Sequence, residues 1–411
     1  MYMAPAERQS PPSSAGSAGA PAPALAMRSP FVRLRELLGD TPPGMPAISL
    51  AVGEPQHGVP SFVGPVLAAS LDEFGKYPMN KGLDEFCAAA AAWLGRRFTL
   101  PRPVDPSTEV LILNGSREGL FLAGIAAERW ATERAGRPAI LMPNPFCAYE
   151  AGAVAAHAEP VFLPATASTG FLPDLDSLSD ELLSRTVAFY LASPANPQGS
   201  VASPDYFARL AKLARKFGFM VFSDECYSEI YTQVPPPSML EHAGRDFENV
   251  IVFQSLSKRS NLPGLRVGFA AGDKRFLARF LELRNVSSPQ VPVPAQRVAI
   301  AAYEDETHVD ESRRLYVQKF DLADQILGNR YGYRRPAGGF LLWLDVSACG
   351  PDDAVTLRLW KEAGLRVIPG SYLARVQADG SNPGAGYIRV AIVQDRDATA
   401  EALHRLVAAL G

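Results

Sequence analysis

Short, continuous apolar runs recur between helical stretches from residue 110 onward, and this alternation restricts the possible folds more than any other feature. The runs lie at 110–113, 139–142, 161–163, 187–191, 220–223, 250–253 and 267–270. Runs without polar alternation are typical of strands buried on both faces. Helix-like stretches, such as 117–134 and 204–217, separate many of them. The alternation predicts βαβ units, and therefore an α/β fold with a mostly parallel seven-stranded sheet between helices.

The pattern changes after residue 284, where prolines at 289, 292 and 294 lead into a helical stretch at 295–327. Strand signals at 340–346, 367–368 and 387–392 and helices near 354–363 and 397–410 predict a smaller α+β domain. We divide the chain into a disordered tail at 1–27, a segment at 28–55 that packs with the small domain, a large domain at 56–285 and a small C-terminal domain at 286–411. The tail is rich in Ala, Pro, Ser and Gly, which cannot bury enough apolar surface to order it.

Composition excludes several classes of function. The 411 residues are 47% hydrophobic, enough for a large core. A net charge of −3 gives no basic field for nucleic acid or an anionic membrane. No apolar run approaches the roughly 20 residues that a membrane span needs. The four cysteines and five histidines are scattered, so we expect a cytoplasmic protein with neither a disulfide framework nor a metal site.

Lys258 is the first residue that suggests chemistry. It follows the run at 250–253 and two serines, Ser255 and Ser257, at the end of a predicted strand, where open α/β sheets bind ligands. Arg266 lies eight residues further on, between Gly264 and Gly268, where backbone and guanidinium can approach an anion. A single lysine is ordinarily a surface charge. An amine with hydroxyls and a guanidinium beside it nevertheless suggests a Schiff base to pyridoxal phosphate.

Polar side chains that suit such a cofactor follow two other runs. Asp224 follows 220–223, where its carboxylate could keep the ring nitrogen protonated or simply cap a helix. Tyr227 could donate to the ring hydroxyl or pack in the core. Asn196 follows 187–191 in an Asn-Pro turn, and it could donate to the same hydroxyl or serve only the turn.

An anion site is predicted after the run at 110–113, where Gly115 and Ser116 begin a helix. Free backbone N–H groups and the helix dipole favour an anion there. We expect a phosphate between this helix start and the side chains of Ser255, Ser257 and Arg266.

Aromatic side chains at Phe146 and Tyr149 follow the run at 139–142. Either could cover a cofactor ring, or be plain core. Arg389 lies among apolar neighbours within 387–392, where a cation is costly unless it is paired. A substrate carboxylate would be a bidentate partner, and a structural ion pair is the alternative.

Together these motifs resemble the class I/II aminotransferases of PLP fold type I, over nearly the whole chain after residue 28. The resemblance implies that Lys258 bonds the cofactor aldehyde and that Asp224 binds the pyridine nitrogen. It also implies a homodimer with shared active sites and with small-molecule amino-acid and keto-acid substrates. The other implied contacts are Asn196 and Tyr227 at the ring hydroxyl, Ser116, Arg117, Ser255, Ser257 and Arg266 at the phosphate, and Arg389 and Gly53 at the substrate carboxylate.

Two further assignments follow from the resemblance. A tyrosine matching Tyr77 reaches the phosphate of the partner subunit in this family. The segment after Phe146 looks one residue short of the family pattern at Cys147, and counting back three residues from Tyr149 gives Phe146 as the stacking residue.

Within the family, the segments at 143–146, 225–231 and 255–264 are similar to those of bacterial succinyldiaminopimelate transaminases of lysine biosynthesis. This similarity implies ping-pong exchange of an amino group between glutamate/2-oxoglutarate and N-succinyl-2-amino-6-oxopimelate, with the Lys258 amine moving the proton. Lys81, Arg259 and Arg284 are candidate cations for the distal end of that substrate. The alternatives are another class I/II aminotransferase, acting on aspartate, aromatic amino acids or kynurenine, and a PLP-dependent β-lyase.

Overall fold

The computed structural model of the chain describes residues 28–130, 136–146 and 148–411. The first elements are α1 Pro30–Leu38, β1 Ile48–Ser49, α2 Val63–Ala69, α3 Asp84–Arg97, β2 Val110–Leu113, α4 Ser116–Trp130, β3 Ala139–Asn144, α5 Glu150–Ala155, β4 Glu159–Pro164, α6 Asp180–Arg185, β5 Thr186–Ala192, α7 Pro204–Phe217 and β6 Met220–Asp224. They are followed by β7 Val250–Ser255, α8 Leu256–Arg259, β8 Gly268–Gly272, α9 Lys274–Ser287, α10 Val293–Glu304, α11 Thr307–Leu327, β9 Leu341–Asp345, α12 Asp352–Ala363, β10 Leu365–Arg366, β11 Ile368–Pro369, β12 Tyr387–Ala391 and α13 Arg396–Leu410. The predicted tail at 1–27 and Cys147 lie outside the described residues.

The large sheet has seven strands in the order β2-β8-β7-β6-β5-β3-β4. Only β8 runs antiparallel to its neighbours; the other pairings are parallel. Both faces are covered, since Leu141 packs into one apolar cluster while its neighbours Ile140 and Met142 pack into another. The predicted α/β fold with a mostly parallel seven-stranded sheet is therefore confirmed.

Helix α7 shows why the sequence forms these elements where it does. Ser203 caps its start by accepting a hydrogen bond from the Tyr206 backbone N–H, and Pro204 occupies the first turn, where no N–H is needed. Gly218 ends it in the left-handed conformation, at φ 71°. Its bounds match the predicted stretch at 204–217.

A second, smaller sheet has the order β11-β12-β9 and is antiparallel. Helices α11, α12 and α13 contribute to its core, which includes Phe320, Leu344, Val390 and Leu406. Strand β1 pairs in parallel with β10, and α1 packs on α12 and β11. The division into domains stays a prediction.

The single helical stretch expected at 295–327 is wrong, because the chain breaks between α10 and α11. Asp305 is extended, with φ −105° and ψ 124°. Its carboxylate accepts hydrogen bonds from the backbone N–H groups of Thr307 (3.3 Å) and His308 (3.2 Å), which starts a new helix. The break at 304–308 contains no glycine or proline, the residues that most clearly mark the end of a helix in a sequence.

Membrane-spanning helices and metal sites were searched for in the described part of the chain. None of its helices is long and apolar enough to cross a membrane. It also contains no cluster of three or more histidine, cysteine or acidic side chains placed to hold a metal ion.

Candidate active site

Lys258 lies in the one-turn helix α8, directly after β7. The side chain of Ser255 caps this turn by accepting from the Ser257 backbone N–H at 3.2 Å. The Lys258 amine donates to the carbonyl oxygen of Gly53, and its Nζ lies 5.3 Å from the centre of the Phe340 ring. Burial lowers the pKa of Lys258 to about 8, so part of the population is a neutral amine near neutral pH.

Asp224 ends β6, the strand beside β7. Its Oδ2 accepts from the Tyr149 hydroxyl at 3.1 Å, and its Oδ1 accepts from the Cys226 backbone N–H at 3.3 Å. Burial raises the pKa of this carboxyl group, while these hydrogen bonds and the charge of Arg117 oppose the rise. No lysine or arginine in the described ranges forms an ion pair with Asp224, so a cationic ring nitrogen would be a favourable partner.

Tyr149 is buried, and its ring stacks on Tyr190 at 4.6 Å and 6°. Its hydroxyl is the group that holds Asp224. Phe146 is only half-buried and meets the Tyr149 ring edge-on, at 6.1 Å and 83°. Of the two aromatic candidates, Phe146 therefore has the freer ring face, and Tyr149 acts through Asp224.

The predicted anion site brings Arg266 against the start of α4. A Cβ at Gly115, where φ is 76°, would lie 2.3 Å from a terminal nitrogen of Arg266, so only glycine allows this approach. Arg266 also donates to the carbonyl of Asn114 at 3.4 Å. The hydroxyl of Ser116 accepts from the Cys226 thiol at 3.0 Å, and the neighbouring Arg117 is exposed.

The two serines before Lys258 lie on the other side of β8. A Cβ at Gly268 would meet both the Ser116 nitrogen and the Ser255 Cα at 3.4 Å. The hydroxyl of Ser255 donates to that of Ser257 at 3.0 Å. The structure thus gathers Ser116, Ser255, Ser257 and Arg266 around the ends of β2, β7 and β8.

Arg389 is only 3% exposed on β12. It donates to the Ala51 carbonyl at 2.7 Å and to Asn196 Oδ1 at 3.1 Å, while its Nε has no partner. Burial lowers the pKa of this guanidinium to about 10. No carboxylate of the described residues pairs with it, so the alternative of a structural ion pair is wrong.

Tyr227 completes this side of the site. Burial raises the pKa of its hydroxyl, and Arg389 and the Asn196 side chain oppose that rise. Its ring meets Phe340 edge-on, at 5.3 Å and 80°. The same Phe340 ring lies against Gly53, where a Cβ would meet it at 3.2 Å.

Two candidate residues lie away from Lys258 within one chain. Tyr77 is 95% exposed. Lys81 pairs with Asp84 at 3.2 Å, in a surface hollow beside β2 and α9. Neither contacts the site described above.

Arg259 and Arg284, considered as cations for the distal end of a substrate, are instead buried structural residues. Arg284 donates to the Ile112 carbonyl at 2.6 Å and pairs with Glu118 at 3.1 Å. Arg259, only 4% exposed, pairs with Glu306 at 2.7 Å. Their role as substrate cations is therefore wrong, because a charge read from the sequence does not reveal its partners.

Sequence reasoning missed a groove beside the anion site. It has a volume of about 730 Å³, and it lies next to Phe146, Arg117 and Arg266. Cys226 was also missed as a partner of Ser116, although it stands two residues after Asp224. The groove is lined by residues from five parts of the chain that are far apart in sequence. These residues are Arg28, Ser29, Pro30 and Phe31; Asn114, Arg117, Glu118 and Phe121; Phe146, Ala148 and Ala151; Arg266; and Tyr372, Leu373 and Arg375.

Comparisons with known proteins agree with this geometry. The family model described as "Aminotransferase class I and II" matches residues 46–406. An LL-diaminopimelate aminotransferase of Desulforudis audaxviator is 32% identical over 392 residues, covering 93% of this chain and 95% of that protein. One from Syntrophobacter fumaroxidans is 31% identical and covers 89% and 92%.

Two solved structures are also similar. An aminotransferase from Neisseria meningitidis has a TM-score of 0.87 and 40% identity, covering 94% of this chain and 98% of that one. A probable N-succinyldiaminopimelate aminotransferase from Thermus thermophilus has a TM-score of 0.82 and 26% identity, covering 93% and 100%.

The residues present fit pyridoxal phosphate, the cofactor that this family uses. Lys258 offers an amine of lowered pKa, and Asp224 offers a carboxylate without an ion-pair partner in the described residues. Arg266 brings a guanidinium against Gly115 at the start of α4, where a phosphate could bind. The chain is a member of the class I and II aminotransferase family, with pyridoxal phosphate as its cofactor.

Proposed function

We propose that the protein moves an amino group between glutamate/2-oxoglutarate and N-succinyl-2-amino-6-oxopimelate, a reaction of diaminopimelate and lysine biosynthesis. The observation that carries this proposal is the charge of the groove beside the anion site. Four arginines line it, Arg28, Arg117, Arg266 and Arg375, together with the carboxylate of Glu118. Arg28 pairs with Glu36 and Arg375 pairs with Glu150, so Arg117 and Arg266 are the two groove arginines without an ion pair in the described residues. Glu118 is itself engaged, by Arg284 at 3.1 Å and by the Ser288 hydroxyl at 2.6 Å.

The succinyl group matters because it changes the charge at the far end of the substrate. It converts an ammonium into an amide and adds a carboxylate. A groove with an excess of guanidinium groups favours that carboxylate and disfavours a free ammonium. The groove volume of about 730 Å³ also suits a long, acyclic substrate.

The proposed roles of the catalytic side chains follow from their surroundings. When bound, pyridoxal phosphate supplies an aldehyde and a ring that accepts electrons. Lys258, as a neutral amine, can take a proton from the substrate α-carbon and return it at a neighbouring atom. Asp224 holds positive charge at the ring nitrogen.

Substrate orientation is the proposed task of Arg389 and Asn196. Arg389 is already held by the Ala51 carbonyl and the Asn196 side chain, so its guanidinium is oriented before a carboxylate arrives. Gly53, whose carbonyl meets Lys258, would lie beside the same carboxylate. A buried cation without a carboxylate from the described chain gains most from a bidentate ligand.

A second candidate is an LL-diaminopimelate aminotransferase, which two relatives at 32% and 31% identity favour by name. Its substrate carries a free distal ammonium where the succinylated one carries an amide. The two candidates therefore differ at the groove and share everything around Lys258.

Competition between donors tests the proposal. N-succinyl-LL-diaminopimelate and LL-diaminopimelate are each supplied with 2-oxoglutarate, and glutamate formation is followed. We expect kcat/KM to be at least tenfold higher for the succinylated donor, about 1.4 kcal/mol. Equal or better use of LL-diaminopimelate would support the second candidate instead. Turnover of aspartate, aromatic amino acids or kynurenine alone would indicate another aminotransferase, and release of pyruvate and ammonia without a keto acid would indicate a β-lyase.

The proposed assembly is a homodimer with shared active sites. Exposed apolar side chains at Leu71, Phe74 and Met79 flank the exposed Tyr77. A cluster of this kind is typical of surfaces that pack against another chain. In such a dimer Tyr77, and Lys81 close to it, would act on the partner's site.

A further inference from the structure

The three residues after Lys258 contact the end of α10 and the first two turns of α11. Arg259 donates to the Ala302 carbonyl at 2.6 Å, in the last turn of α10, where carbonyl groups lack helical partners. It also pairs with Glu306, the residue before α11, at 2.7 Å. Arg259 therefore holds the end of one helix to the start of the next.

Ser260 contacts the start of α11 through His308. The hydroxyl of Ser260 lies 2.8 Å from His308 Nε2, and His308 Nδ1 lies 2.5 Å from the carboxylate of Asp305. Burial raises the pKa of Asp305, but hydrogen bonds from His308 outweigh it and lower that pKa to about 2. The carboxylate that starts α11 is thus tied to the turn that carries Lys258.

Asn261 reaches the second turn of α11. Its side chain amide lies 3.4 Å from the hydroxyl of Ser312, a buried residue. Ser312 in turn lies 3.2 Å from His57 Nδ1, and His57 Nε2 accepts from the Lys319 amine at 2.8 Å. One serine therefore contacts both the turn after Lys258 and the loop that contains His57.

That loop is the one that meets the catalytic amine. Gly53, four residues before His57, accepts a hydrogen bond from Lys258 Nζ. The turn and the loop are more than 200 residues apart in the chain, and α11 is the element that contacts both. Buried polar groups seldom lack partners. These hydrogen bonds therefore hold the turn and the loop in defined positions on α11.

We propose that Asn261, Ser312 and His57 form a joint that sets the position of Lys258 relative to the Gly53 loop, with Arg259 and Ser260 anchoring it to the start of α11. These are positioning residues, because none of them reaches the Lys258 amine. The joint rests on the proposed role of Lys258. Its structural part can be tested without cofactor or substrate.

Hydrogen exchange of the cofactor-free protein, read by mass spectrometry, provides the first test. The variants are Asn261→Gly, Ser312→Ala and the double variant. Glycine is chosen at position 261 because Asn261 has a left-handed backbone (φ 53°), which glycine tolerates. Arg314→Gln is the control, because it breaks an exposed ion pair with Glu311 on the same helix and leaves the hydrogen bonds of Ser312 in place. The peptide of interest covers residues 256–262.

We expect Ser312→Ala to speed exchange about fivefold in this peptide, where the backbone N–H groups of Leu256, Ser260 and Leu262 donate hydrogen bonds. Loss of one buried hydrogen bond of about 1 kcal/mol predicts a change of this size. Alanine favours the helix that holds it, so faster exchange in this distant peptide cannot come from a weakened α11. The double variant should exceed the larger single effect only slightly, because both changes break one joint. Unchanged exchange in 256–262 after Ser312→Ala would overturn the proposal.

Kinetics of the holoenzyme provide the second test. Both single variants should lower kcat about tenfold, leave KM for the amino donor nearly unchanged and leave the absorbance of the bound cofactor intact. Arg314→Gln should match the wild type. Wild-type kcat in both joint variants would overturn the proposal. A wild-type protein without aminotransferase activity would refute the proposed function, and the exchange result would still decide whether the joint exists.

Discussion

Arg389 is a buried cation on β12. Its hydrogen-bond acceptors in the described chain are a backbone carbonyl and an amide oxygen, and none of them is a carboxylate. Its apolar neighbours in the sequence indicated burial. Its partners were not predictable, because Ala51 and Asn196 are 338 and 193 residues away. The same limit explains the errors at Arg259 and Arg284, whose partners also come from distant segments.

Substitution of Arg389 by lysine tests its assignment to the substrate carboxylate. An ammonium keeps the charge but loses the two parallel hydrogen bonds of a guanidinium. We expect KM for both the amino acid and the keto acid to rise about a hundredfold, or about 3 kcal/mol. The absorbance of the bound cofactor should remain. Steady-state kinetics with KM unchanged for both substrates would contradict the assignment.

Elements were predicted better than contacts. Each strand of the large sheet overlaps a predicted apolar run. Strands β2, β3 and β5 are buried along their whole length, and a strand buried on both faces has little room for polar residues. The break at Asp305 escaped prediction because it depends on one side chain accepting two backbone hydrogen bonds. Similarly, the polar residues at strand ends were visible in the sequence, whereas the groove required the folded arrangement of five segments.

The loop that contains His57 should make stability depend on pH. Burial, and then the charge of Lys319, lower the pKa of His57 to about 4 from an ordinary value of 6.5. At acidic pH the unfolded chain therefore binds a proton at His57 more readily than the folded chain does. The contribution of neutral His57 to the free energy of unfolding is complete above pH 6.5 and is lost as the pH falls towards 4. Solvent screening of this partly exposed side chain keeps the loss below the roughly 3 kcal/mol that the full shift would give.

The variant His57→Gln removes the titrating group while keeping a polar side chain. Urea unfolding at pH 7 and pH 4.5 should therefore show a smaller difference in the free energy of unfolding for His57→Gln than for the wild type. Equal differences in the two proteins would show that His57 does not titrate as its surroundings predict.

At the scale of the whole molecule, the large sheet presents Lys258, Asp224 and Asn196 at its strand ends, and the small sheet adds Arg389 from β12. The order of the motifs along the chain was sufficient to predict the first three residues, because parallel strands bring their carboxyl ends to one edge. Arg389 lies on an antiparallel strand, and its place beside them was implied by the family resemblance. The surface around Tyr77 was predictable only through the family resemblance. Its exposure in one chain is an observation that a partner subunit would account for.

A change in that surface should separate the subunits. Phe74→Asp together with Met79→Asp places two charges on exposed apolar positions. We expect light scattering to give twice the single-chain mass for the wild type and the single-chain mass for the variant, with activity at least tenfold lower. Val234→Asp, at an exposed valine elsewhere, is the matched control. A wild-type monomer, or a variant that stays dimeric, would contradict the proposed assembly.

The central claim is that Lys258 is the residue bonded to the cofactor. Reduction of the holoenzyme with borohydride, followed by digestion and peptide mass spectrometry, locates that bond directly. We predict a cofactor-derived mass on Lys258 alone, and neither this mass nor the visible absorbance of the cofactor in Lys258→Ala. A cofactor mass on another lysine, or an unmodified Lys258 in protein whose visible absorbance the reduction has removed, would contradict the account.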